Sequence, residues 1–285
     1  MLHGSERETL TAALEHPRFW TAVHAAEYLI ELETAPEAVD GFVARLSADE
    51  AVPVRRIGVW RVKALRARGR NDWAGFDRYT SLLKNVAFAD RTCSDRVHAL
   101  ETLFKLDCRC SAAEREMLKK FRSGEQDSPG MQVYAAALLA LSDQSALREL
   151  TGLFERYRSD RVYCGVLLYV CKRFPALPDD LLALLDDMRK DTAAAPEHRI
   201  AAAGILLRHR KIPADSVAEI PEKVCPAYLQ ILQEYAPQSR ECKKILRQMK
   251  ESDNMEMKLY AAYIILKSAP PSDEKRKKHA TFDLH

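Results

Sequence analysis

Apolar positions along this chain recur with the 3.6-residue period of helices, and one pattern repeats. An apolar residue is followed by one or two small residues, then by Leu or Ile three or four positions on. The pattern occurs as Val23-His-Ala-Ala-Glu-Tyr-Leu-Ile-Glu-Leu32 and as Val97-His-Ala-Leu-Glu-Thr-Leu-Phe-Lys-Leu106. It returns over Val133–Leu141, Ile200–Leu207 and Leu259–Leu266, with looser copies over Ile57–Leu65, Val162–Val170 and Ala227–Tyr235. Aligned on Ala26, the copies fall at 26, 59, 100, 135, 164, 201, 229 and 260. Their spacing averages about 33 residues, the period of stacked helical hairpins.

Between the copies, Pro36–Leu46, Trp73–Val86, Ala112–Phe121, Ala146–Arg156, Pro178–Met188 and Arg240–Met249 also carry apolar residues at helical spacing. Helix-start signals punctuate them. Ser111-Ala-Ala-Glu114 reads as a capping box, Ser128-Pro129 as an N-cap followed by Pro, and Pro36, Pro178 and Pro196 stand where helices begin. One hairpin cannot bury its own apolar stripe, whereas hairpins stacked side by side share a continuous core.

In these motifs the chain resembles the HEAT-type repeat proteins. The match is carried by Ser94-Asp-Arg-Val-His-Ala99, Pro196-Glu-His-Arg-Ile-Ala-Ala202 and Asp253-Asn-Met-Glu-Met-Lys-Leu-Tyr-Ala-Ala262. The resemblance implies an all-α fold, a right-handed α-α superhelix (solenoid) of about eight HEAT-like hairpins. It implies one domain over residues 1–268, and that the signature helices line the concave face. The charged, Pro-broken segment 269–285 reads as a flexible tail. The longest interval, between the second and third copies, is accounted for by an inserted turn around Asn85 to Cys93.

Composition narrows the function classes. Ala and Leu dominate, Gly numbers only 10, and hydrophobic residues make up 47%. That balance excludes a large sheet and a disordered chain. No apolar run reaches the roughly 20 residues that cross a bilayer. The first residues lack a secretory apolar core, and the seven Cys are odd in number and scattered. A cytoplasmic protein with reduced thiols and no membrane association is therefore expected. Cys108 and Cys110 have no second pair at zinc spacing. Gly-rich phosphate loops, zinc-protease and serine-hydrolase signatures are absent. Neither catalytic residues nor a metal or cofactor is expected.

The candidate chemistry lies in the N-terminal half. Helical-wheel positions put Trp20, His24 and Glu27 opposite the apolar arc of the first copy, and His98 and Glu101 occupy the equivalent strip of the third. His and Glu three residues apart share one helix face, the neighbourhood in which a carboxylate tunes an imidazole. The same pairs read equally as solvated surface contacts repeated with the unit. Between them, residues 51–71 hold seven basic side chains and no acidic one. Arg61 falls in the apolar sector and requires a carboxylate, with Glu27 and Glu101 as candidates. Trp60 aligns with those two glutamates, either as an exposed anchor or as a buried bridge between hairpins.

The expected function is thus a non-catalytic scaffold. It binds a partner protein or peptide through the concave face of its N-terminal half, using Trp20, His24, Glu27, Trp60, Arg61, His98 and Glu101. The alternative is nucleic-acid binding, as in HEAT-like DNA glycosylases, through Arg55, Arg56, Lys63, Arg66 and Arg70 on the basic helix 54–70. A net charge of +3 is low for such a binder. A third reading places a small polar molecule or substrate in the same groove.

Overall fold

In the computed structural model, which describes residues 4–89, 95–123, 128–213, 216, 224–236 and 239–269, every regular element is a helix. The helices that flank the repeat segments are, in chain order, α1 (Gly4–Ala12), α3 (Pro36–Arg45), α5 (Trp73–Ala87), α7 (Ala112–Ser123), α9 (Leu147–Tyr157), α11 (Asp179–Lys190) and α14 (Arg240–Glu251). The repeat segments lie on α2 (Phe19–Glu31), α4 (Pro53–Gly69), α6 (Arg96–Lys105), α8 (Pro129–Ala140), α10 (Arg161–Cys171), α12 (Pro196–Arg208), α13 (Leu229–Tyr235) and α15 (Met255–Ser268).

Local chemistry fixes the ends of these helices. Ser111 N–H donates to Glu114 at 2.7 Å while Glu114 N–H donates to the Ser111 hydroxyl, a reciprocal capping box. Ser128, Asp160 and Asn254 accept from the first N–H groups of α8, α10 and α15. Pro36, Pro53, Pro129 and Pro196 occupy first positions, where no N–H is needed. At the other ends, Glu33, Asn71, Asp107 and Arg210 adopt left-handed φ of 50°, 58°, 54° and 54° after α2, α4, α6 and α12. In each case the next N–H returns to a carbonyl in the last turn, as in Thr34 to Leu29 and Cys108 to Leu103.

The repeat helices pack in order: α2 on α4, α4 on α6, α6 on α8, α8 on α10, α10 on α12, α12 on α13 and α13 on α15. Like ends meet like ends. Arg56 of α4 pairs with Asp95 at the start of α6, and Arg161 of α10 with Glu197 at the start of α12. At the C-terminal ends, Arg68, Arg173, Arg208 and Tyr235 donate to the carbonyls of Leu106, Lys105, Lys172 and Leu207. These bonds run the neighbours parallel and offset the carbonyl ends of the helix dipoles.

The succession of contacts then closes. α15 packs on α1 and α2, so α1 lies between α15 and α2 as α3 lies between α2 and α4. Leu259 and Ala262 of α15 are buried in the same cluster as Leu10, Val23 and Leu29. Tyr28 stacks on Tyr263 at 4.4 Å, whose hydroxyl donates to Glu31 at 2.6 Å. Glu6 pairs with Lys250, and Lys267 with Glu31. The resemblance carries no such contact between first and last units. Apolar burial and ion pairing across more than 230 positions of sequence produce it here.

Gly58 matters to this packing: a Cβ there would stand 2.9 Å from the Phe19 ring and 3.0 Å from Trp20. The long interval between the second and third repeats has a partly different origin from the inserted turn expected around Asn85. α4 has 17 residues and α5 has 15, and α5 continues through Asn85 to Ala87. Cys93 and the segment 270–285 lie outside the described residues. No helix among the described residues is long and apolar enough to cross a membrane.

Candidate functional site

Polar side chains of α2, α4 and α6 come together around Arg61. Arg61 is 3% exposed on α4, and its Nε is ion-paired with Glu27 of α2. Its Nη2 is buried without a hydrogen-bond acceptor among the described residues. Burial would lower the Arg61 pKa, but the negative fields of Glu27 and Glu101 raise it instead. The guanidinium also sits 5.4 Å from the Trp20 ring, a cation–π contact. Trp20 in turn meets Phe19 edge-on at 5.1 Å.

On α6, Glu101 accepts from Lys105, four residues on, at 2.6 Å, and His98 Nδ1 lies 3.6 Å from its other oxygen. Burial pushes the Glu101 carboxyl up; His98, Lys105 and Arg61 outweigh it and hold the group down at about 2. His24 does not mirror His98. It reaches across the closure to Glu256 of α15 at 3.2 Å, and Glu256 also accepts from the Thr21 hydroxyl at 2.8 Å. Those two bonds lower the Glu256 pKa, His24 contributing most. The two His-Glu strings therefore use their histidines differently, one within its helix and one between the chain's ends.

Trp60 is not an exposed anchor. It is 7% exposed, and its indole N–H donates to the Ala48 carbonyl at 2.9 Å. Arg61, one position later, takes the place beside Glu27 that the repeat alignment assigned to Trp60. Trp20, His24, Glu27, His98 and Glu101 remain half-buried and open to solvent on one side.

The basic helix is largely neutralised from within. Arg55 lies 3.6 Å from Glu50, Arg56 is 3.0 Å from Asp95, and both Arg66 and Arg70 bind Asp40. Lys63 donates to the Val43 carbonyl at 3.1 Å. These bonds tie α4 to the preceding hairpin and to α6.

Two tyrosines and a lysine that composition and spacing do not single out complete the cluster. Tyr134 of α8 is buried, Tyr169 of α10 is half-buried, and Lys172 caps the end of α10. Periodicity reads a helical Tyr as core, and a lone Lys at a helix end as solvated surface. No group of three or more His, Cys, Asp or Glu able to hold a metal occurs among the described residues. Cys108 and Cys110 are buried, and burial pushes their thiols up to about 12 and about 11. They are thiols at neutral pH, with little nucleophilic character.

These features define an all-helical protein of packed neighbouring helices, with Tyr134 and Tyr169 beside the Arg61–Glu101 cluster. No protein-family model, curated protein or solved structure matches the chain.

Proposed function

We propose that this chain is a HEAT-type helical repeat protein acting without catalysis, and that it binds a partner protein or peptide through the inner face of its N-terminal half. The observation carrying this reading is where polarity falls. Trp20, His24, Glu27, His98 and Glu101 stand half-buried on α2 and α6, with Arg61 fixed between them. At the equivalent positions further along, Ala136 and Ala202 are small and buried. Side chains held by ion pairs yet open on one side lose little freedom on binding, which favours recognition.

Nucleic-acid binding is the weaker reading, because the basic helix already has acidic partners for Arg55, Arg56, Arg66 and Arg70. Phosphate contacts release counterions only where the cations are free to make them.

The test is retention of partners from a lysate of the native host by the full chain and by a Trp20→Ala, His24→Ala, His98→Ala variant. Loss of one or more proteins by a variant with unchanged circular dichroism supports the reading. Equal retention by both forms overturns it.

A further inference from the structure

Tyr169 of α10 is the meeting point of two ammonium groups. Lys172 Nζ lies 4.4 Å from the centre of its ring, and Lys105 Nζ lies 5.3 Å away. Behind Lys105 stands the buried guanidinium of Arg61. Three cations thus converge where two carboxylates, Glu27 and Glu101, are available. Glu27 is committed to Arg61, and Glu101 to Lys105 with His98 beside it.

Lys172 has no carboxylate within ion-pair distance and makes no side-chain hydrogen bond among the described residues. Compensation of helix ends accounts for its neighbours but not for Lys172. Arg173 donates to the Lys105 carbonyl and pairs with Asp107 at 2.8 Å, and the Arg208 guanidinium donates to the Lys172 carbonyl. Among the described residues, the polar contact of the Lys172 ammonium is with the Tyr169 ring. Burial pushes its pKa down to about 8, with the positive fields of Lys105 and Arg173 adding to the shift. A half-buried cation without a counter-charge destabilises the protein that carries it. Groups left in that condition are characteristic of binding sites, where a ligand supplies the missing charge. Arg61 Nη2, buried without an acceptor, is a second unsatisfied donor in the same cluster.

We propose that the junction of α6 and α10 is a subsite for a small oxyanion, the carboxylate or phosphoryl group of a ligand, held by Lys172 and Lys105 with Arg61 behind them. The ring of Tyr169 borders it, in cation–π contact with both ammonium groups. The remaining contacts are charge-assisted N–H···O bonds, which are stronger than neutral ones and require no rearrangement of Glu27 or Glu101. The inference rests on reading this inner face as a recognition surface, and adds the chemistry of what enters it.

The full chain is titrated with inorganic phosphate and, separately, with acetate, against sodium chloride of equal ionic strength. Melting temperature and the rate of Lys172 acetylation by a water-soluble acylating reagent are followed, the latter by mass spectrometry. A ligand confined to the native state raises the melting temperature by mass action and shields the amine. The expected result is stabilisation by at least one of the two anions beyond the chloride control, with slower acetylation of Lys172 and unchanged acetylation of the exposed Lys119. Response to phosphate alone assigns a phosphoryl group, and response to both assigns a general oxyanion site.

Lys172→Met removes an unbalanced charge, so it should fold with a melting temperature no lower than wild type. It should bind the anion at least about tenfold more weakly, and Lys172→Arg should retain binding. No stabilisation beyond chloride, or an identical response in Lys172→Met, overturns the proposal. A protein indifferent to both anions that still loses its partners on substitution of Trp20, His24 and His98 would overturn the subsite and leave the recognition surface standing.

Discussion

Substitution of Glu27 by Gln removes the carboxylate ion-paired with Arg61 while keeping its shape. Arg61 is 3% exposed, so water cannot take over as counter-charge. Stranding a buried cation in this way costs about 3–5 kcal/mol. Glu101 also acts on Arg61 through its field, though it is not within ion-pair distance, which places the expected loss near the lower end, about 3 kcal/mol. Urea unfolding followed by circular dichroism measures it as a fall in midpoint with the slope unchanged. The double variant Glu27→Gln, Arg61→Met removes the charge along with its partner. It should recover to within about 1 kcal/mol of wild type, giving a coupling of about 2 kcal/mol or more. A Glu27→Gln loss below about 1 kcal/mol, or a double variant as unstable as the single one, would refute the assignment of Arg61 as a buried charge balanced by Glu27.

Further outcomes are expected. The Glu101 carboxyl, at about 2 in the folded protein against an ordinary 4.5, contributes stability that is complete above about pH 4.5 and lost as pH falls toward 2. Stability measured from pH 6 to pH 3 should therefore drop less steeply in Glu101→Gln than in wild type. Gly58→Ala should destabilise by about 1 kcal/mol in urea despite the better helix propensity of Ala, because the added methyl meets Phe19 and Trp20. A neutral or stabilising result would mean those rings move aside freely. Arg210→Gly should stabilise by about 0.5 kcal/mol, since the residue after α12 holds a left-handed φ of 54°; a loss in the same assay would contradict that.

The repeat was legible because each unit repeats a local pattern. Small residues on the repeat helices, as at Ala135, Ala136 and Ala202, are fully buried. The need of Arg61 for a carboxylate followed from its place in the apolar sector, and Glu27 and Glu101 were the candidates, one on each helix flanking α4. What escaped was decided elsewhere in the chain. α1 carries no copy of the pattern, and its packing on α15 depends on side chains more than 240 positions apart, such as Glu6 and Lys250. Trp60 and Arg61 are adjacent and both buried, so a shift of one position puts Arg61 rather than Trp60 beside Glu27. That Lys172 has no carboxylate within ion-pair distance among the described residues is a property of the packing, which no linear pattern records.

The packing of α15 on α1 and α2 brings His24 to Glu256. Carbodiimide joins a lysine amine to a carboxylate only when the two are in contact. Treatment of dilute full-length protein, with mass spectrometry of the monomer band, should give Lys250–Glu6 and Lys267–Glu31 links alongside the local Lys84–Glu114 link, whose atoms lie 3.1 Å apart. Recovery of the Lys84–Glu114 link without either of the other two would contradict the closure.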